Sequence, residues 1–156
     1  MSEKWPDLKA SLGLLVLRIG VGGFMATHGW GKAQMVLDGK FSDFGDPIGL
    51  GSGLSLVLVA GAEFVCALMV VVGAATRFAA IPPIIAMGVA AFVAHGADPW
   101  TMGEAARLFM AKEAEHWGSK EPALLFLLGF LTLALTGAGR FSLDAVLGPR
   151  LAKRKG

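Results

Sequence analysis

The sequence predicts an all-α fold: a four-helix transmembrane bundle with both termini inside and an amphipathic helix on the outer face. Three observations lead there. Hydrophobic residues make up 54% of the 156 and charged residues 17%, against roughly 45–50% and about 25% in soluble domains. The mean hydropathy is +0.62. Four apolar runs approach the ~20 residues that a helix needs to cross a bilayer. Finally, Lys and Arg gather on alternate sides of those runs, as the positive-inside rule requires.

The first span is read over about 12–31, the second over about 50–75, the third over about 78–95 and the fourth over about 122–138. Pro82 and Pro83 open the third and Pro122 opens the fourth, where a missing N–H costs least. Gly20, Gly22, Gly23, Gly29 and Gly31 crowd the first span. Small residues let membrane helices approach closely, so this span is expected at the centre of the bundle. Between spans three and four, Thr101 and Glu104 have capping-box spacing. The apolar residues Met102, Ala105, Ala106 and Phe109 follow at helical spacing, which predicts an amphipathic helix over about 101–117 lying on the outer leaflet.

Lys4, Lys9, Arg77, Arg140 and the basic tail over 148–156, with Arg150, Lys153, Arg154 and Lys155, fall on one side. The loops 33–49 and 96–121 hold most of the acids, including Asp38, Asp43, Asp46, Asp98, Glu104 and Glu121. The N-terminal residues lack a cleavable leader pattern, so the first run is expected to remain as a membrane helix. The chain is thus expected to be a multi-pass protein of the inner (plasma) membrane, in contact with lipid. The basic residues form no aromatic-interleaved stripe, so nucleic acid is not an expected partner. Cys66 is the single cysteine, which excludes an internal disulfide or a CxxC pair.

Ionisable residues inside spans are expensive and usually face a partner or a cavity. Arg18, His28, Glu63 and His95 are the four. Counting at ~1.5 Å per residue puts Arg18 and Glu63 at nearly the same depth, which predicts an Arg18–Glu63 ion pair. The alternative is a proton-accepting Glu63 or an anion-binding Arg18 in a cavity. Lys32 follows His28 by four residues, and Arg18 projects within about 40° of Lys32 at 100° per residue. One helix thus carries a polar seam, with His95 expected at similar depth to His28. Three readings of the seam stay open: an interfacial belt anchored by Trp30 and Trp100, a site for an anion or quinone headgroup, or metal or haem ligation by His28 and His95. Asp144 is expected to clamp Arg77 on the inner side. His116 and Cys66 read as a loop residue and a packing residue.

The string LRIGVGGFMATHGWGK at 17–32, the second span with Glu63 and its closing Gly-x-x-Thr-Arg, and GAGRFSLDAVL at 137–147 together resemble the DoxX family of membrane proteins. The resemblance covers about residues 12–147. It implies a small four-helix membrane protein whose relatives include a subunit of a thiosulfate:quinone oxidoreductase and members of oxidative-stress complexes with soluble partners. Carried over by position, it marks Arg18, His28, Lys32 and Glu63, with Ser142 and Asp144 on the inner side. The expectation is a membrane oxidoreductase component that binds a quinone or a small sulfur anion at an outward seam. There His28 and Glu63 handle protons, while Arg18, Lys32 and His95 bind. A bound quinone is the expected cofactor ahead of haem, and a soluble or membrane oxidoreductase subunit, or a second copy, the expected partner. The alternative is a non-enzymatic assembly or anchoring subunit, or a small-solute carrier.

Overall fold

The computed structural model describes residues 7–153, so the predicted contributions of Lys4, Arg154 and Lys155 lie outside the described residues. Among these residues every regular element is a helix. Three are long and apolar enough to cross a membrane: α1, Leu8–Leu37; α2, Ser52–Val72; and α3, Thr76–Ala94. A short helix α4 (Met102–Met110) follows, then α5 (Glu121–Thr136) and α6 (Leu143–Lys153). α5 has 16 residues, about 24 Å at ~1.5 Å per residue, and falls short of the other three. The predicted fourth span is therefore a shorter apolar helix that packs in the same bundle.

Only 33%, 39% and 28% of the apolar windows of α1, α2 and α3 are buried inside the protein. Their outward surfaces carry Val16, Phe24, Leu58, Ile85 and Phe92. An apolar exterior around a narrow packed centre is what lipid-facing helices require. The centre holds Met25, Val70, Ala80, Met87, Ala91, Phe130 and Leu133.

Glycine decides how the helices meet. A Cβ at Gly29 would lie 2.4 Å from the carbonyl carbon of Glu63 and 2.5 Å from the amide nitrogen of Phe64. One at Gly22 would lie 3.0 Å from the Ala67 carbonyl oxygen and 2.8 Å from Val71. The two glycines are seven residues apart and set α1 directly against α2. Gly129 does the same for α5, where Val21 of α1 occupies the space of a side chain.

Two helices contain wider turns. Residues Gly61–Cys66 of α2 and Ala90–Ala94 of α3 are π-helical, a feature that recurs at functional positions inside α-helices. The α2 segment holds Glu63 and is the surface on which Gly29 rests.

The starts of α1, α3 and α6 and the ends of α2 and α5 share one end of the bundle, here the terminal end. The loops 38–51 and 95–120 share the other, the loop end. Two predicted boundaries change there. α4 stops at Met110 rather than near Trp117: Ala111 caps it and Lys112 adopts a positive φ of 60°, so 111–118 runs irregularly. The predicted basic tail begins instead inside α6. That helix starts where Ser142 Oγ accepts from the Ala145 amide at 3.2 Å, a side-chain cap.

The tight α1–α2 approach makes a direct prediction. Gly29→Ala should lower thermal stability in detergent by an amount at the upper end of the ~1–3 kcal/mol typical of overpacking, because backbone, not a flexible side chain, fills the space. Gly23→Ala, whose Cβ would meet nothing within 4 Å, should cause no loss.

Candidate functional site

The ionisable residues read as one seam, together with Glu63, are dispersed: three separate arrangements hold all of them but His28. The first is at the terminal end. Arg18 is fully buried; its guanidinium donates to the Phe141 carbonyl oxygen and, at 3.4 Å, to the Val71 carbonyl oxygen. It fills the space beside Gly73, which ends α2 in the left-handed region at φ 71°. A Cβ there would stand 2.0 Å from Arg18 Nη1. Val71 lies in the last turn of α2, where a cation is favourable and the carbonyls lack helical partners of their own; Phe141 lies in the segment that leads into α6. The predicted Arg18–Glu63 ion pair is therefore not formed.

The second arrangement holds Glu63. Its carboxylate is 3% exposed and accepts from Lys32 Nζ, whose side chain is 28% exposed. Gly29 places α1 against the π-turn, and Lys32, nearly one turn further on, reaches across to Oε2. Trp30 of α1 and Phe64 of α2 meet across the same helix contact with ring centroids 5.3 Å apart. A carboxylate taken out of water is strongly disfavoured unless a cation and hydrogen bonds compensate, and Lys32 supplies both.

The third arrangement lies in the loops. His95 Nδ1 meets Asp98 Oδ2 at 2.8 Å and His116 Nε2 meets Asp98 Oδ1 at 3.1 Å. Asp98 thus ties the end of α3 to the segment after α4. Gly118 leaves room beside it: a Cβ there would come within 2.6 Å of Asp98 Oδ2 and oblige that carboxylate to shift. The hydrogen bond from His95, then that from His116, holds the Asp98 carboxyl below its ordinary range, opposed by partial burial. The Lys120 amide donates to the Pro99 carbonyl at 3.0 Å, and Lys120 Nζ lies 4.9 Å from the Trp100 ring. Glu121 Oε2 accepts from the Met102 amide at 2.7 Å, and Thr101 Oγ1 accepts from Glu104 at 3.2 Å, half of the predicted capping box.

His28 stands apart from all three. Its Nδ1 lies 3.1 Å from the Phe24 carbonyl oxygen of its own helix, and its ring sits edge-on to Phe126 of α5 at 5.7 Å. His28 and His95 therefore do not form a ligand pair. Among the described residues no group of three His, Cys, Asp or Glu side chains is arranged to hold a metal ion. Asp144 is also placed differently from expectation. Its carboxylate accepts from the Ala75 amide at 2.6 Å and the Thr76 amide at 2.9 Å, while Arg77 donates to the Thr136 carbonyl at 3.5 Å. The two free amides at the start of α3 attract the carboxylate away from Arg77, as helix N-termini do.

The family model described as DoxX matches residues 13–96. The chain belongs to the DoxX family. The match spans α1, α2 and α3, and with them Arg18, His28, Lys32, Glu63 and His95. DoxX proteins are membrane proteins often linked to oxidoreductase systems, and the apolar helices make this one a multi-pass membrane protein in contact with lipid. No curated protein and no solved structure matches the chain. The Asp98–His116 contact and the Glu121 cap lie outside the matched residues of this DoxX protein.

Sequence reasoning missed His116 and the role of Gly29. The signal for Gly29 was present, in its spacing of seven from Gly22. His116 gave none, because its partner is 18 residues away in an irregular loop.

The Asp98 tie gives a pH dependence of known sign. A carboxyl with a depressed folded-state value stabilises above the unfolded Asp range, near 3.9, and loses that contribution as pH falls through the folded value. Amide hydrogen exchange in 111–118 should therefore be slow at neutral pH and accelerate below about pH 4 relative to the intrinsic rate. Asp98→Asn should show the fast behaviour already at neutral pH.

Proposed function

We propose that this DoxX protein is the membrane component of an oxidoreductase system and receives a quinone ring from the bilayer at the Lys32–Glu63 pair. One observation carries the reading: within apolar spans, a buried carboxylate in a π-turn is matched by a lysine that stays partly open to the exterior. Trp30 and Phe64, which meet across the same α1–α2 contact, add flat apolar surface suited to an aromatic headgroup. A bound quinone would supply the two-electron chemistry, with the electrons coming from a donor on a partner subunit. Lys32 would give its proton to one quinone oxygen while water at the loop end protonates the other; Glu63, having lost its cationic partner in apolar surroundings, would take up a further proton from that water and later return it to Lys32.

The sulfur-anion alternative fits less well. Glu63 already neutralises Lys32, and Arg18 is engaged with backbone carbonyls at the terminal end. His28 and His95 lie outside this contact set, so the proton role read for His28 passes to Lys32. On this reading α5 is the fourth crossing, shorter than the ~30 Å hydrocarbon core and accommodated by local thinning of the bilayer. The terminal end, with Arg77 and Arg140, faces the cytoplasm of the inner membrane. An assembly or anchoring role is the second reading. It is favoured by Arg18, whose complete burial against Val71 and Phe141 is a purely architectural use of a charge.

Quinone binding tests the proposal. A short-tailed ubiquinone or menaquinone analogue should quench the tryptophan emission of the detergent-solubilised protein. Lys32→Met and Glu63→Gln should each weaken binding at least tenfold, about 1.4 kcal/mol. His28→Ala should leave it within a factor of two. Unchanged affinity in both Lys32→Met and Glu63→Gln would refute the site. The pair itself should show as a stability coupling: each single variant melts lower, because one buried partner is stranded, and the double variant recovers most of the loss.

A further inference from the structure

A lateral groove between α1 and α5, of about 500 Å³, shares no lining residue with the Lys32–Glu63 pair. Its walls are apolar. Val16 and Phe24 of α1 and Leu125 of α5 are exposed along it, and Gly20 forms part of its floor with no atom within 4 Å of where a Cβ would stand. Met102 and Glu121 close it at the loop end. From Val16 to Phe24 the groove follows α1 for about 12 Å at ~1.5 Å per residue. A carboxylate thus sits where the helices leave the bilayer, and a bare apolar channel runs from it toward the membrane interior.

That polarity is the polarity of a lipid, with the head at the interface and the chain toward the midplane. The charge at the mouth selects the head. One oxygen of Glu121 takes the Met102 amide, and among the described residues Glu121 forms no ion pair. The adjacent Lys120 is turned over Trp100 instead. A carboxylate with a free acceptor and no cation repels an anionic phosphate head and attracts one carrying a primary ammonium. We infer that the α1–α5 groove is a binding site for one acyl chain of an ethanolamine phospholipid, whose ammonium group pairs with Glu121.

Native mass spectrometry of the full chain, exchanged from mild detergent into micelles with equimolar phosphatidylethanolamine and phosphatidylglycerol, tests this. The wild type should retain one phospholipid, enriched at least fivefold in the ethanolamine form. Glu121→Gln should keep one lipid but lose the enrichment. Gly20→Leu projects a side chain into the open groove without touching the helix contacts and should lose retention, with an unchanged helical circular dichroism signal confirming the fold. Equal retention of the two lipids by the wild type would overturn the assignment, as would undiminished retention by Gly20→Leu. Adding a prenylquinone to the same mixture separates the neighbouring possibility: loss of the phospholipid from the wild type, with the prenylquinone retained in its place, would also overturn the assignment.

Discussion

The close approach of α1 to α2 at Gly29 is the constraint on which the rest of this protein depends. With no side chain at residue 29, the backbone of α1 rests on the backbone of the π-turn at Glu63 and Phe64. Everything nearby takes its position from that contact. Lys32 lies less than one helical turn further along and lands on the Glu63 carboxylate. Trp30 lies one residue along and meets Phe64. Gly22, seven residues back, continues the same line of contact to Ala67 and Val71. In a bilayer, helices associate through packing rather than through exclusion of water, so such a contact sets the register of the bundle.

One rule holds at both ends of the bundle, apart from the Asp98 tie to His95 and His116: charged side chains are used to satisfy backbone groups where helices start or stop. Arg18 takes the Val71 carbonyl at the end of α2 and the Phe141 carbonyl ahead of α6, and Asp144 takes amides at the start of α3. At the loop end, Asp46 accepts from the Leu50 and Gly51 amides at 3.0 and 2.7 Å and from Ser55 Oγ at 2.8 Å, fixing the start of α2. The Gly51 bond is the main reason its carboxyl titrates below the ordinary range. Glu121 accepts from the first amide of α4. Near the hydrocarbon there is little water to replace such partners, and each unsatisfied backbone group is costly. Lys32 and Glu63 depart from this rule, since they pair with each other inside the spans. That departure is why the proposed chemistry is placed there.

Much of the architecture was legible in the sequence. The apolar runs fall on α1, α2, α3 and α5, although α1 extends to Leu37, beyond the run that ends at 31. The rarity of charge within them singled out Arg18, His28, Glu63 and His95, and spacing from His28 added Lys32. The pairing among them was not legible, for a physical reason. Depths counted from the edges of the apolar runs set Arg18 level with Glu63. The actual register is fixed by Gly22 and Gly29, and Glu63 lies level with residue 29. That is eleven residues along α1 from Arg18, or about 16 Å at ~1.5 Å per residue. The loop-end ties were hidden for another reason. Asp98, His116 and Glu121 act through hydrogen bonds across irregular segments, which leave no periodic trace. Even Asp144, correctly marked as a motif position, chose backbone amides over Arg77 because two amides at a helix start outcompete a guanidinium already directed at Thr136.

Isotope-edited infrared difference spectroscopy of the protein with bound quinone, oxidised against reduced, tests the central claim most directly. If Lys32–Glu63 is the proton-handling pair, the difference spectrum contains the carbonyl stretch of a carboxyl group changing protonation state, shifted by labelled glutamate and absent in Glu63→Gln. A spectrum with no carboxyl signal, or one whose signal persists in Glu63→Gln, would contradict the account and leave the pair as a fixed ion-pair lock between α1 and α2.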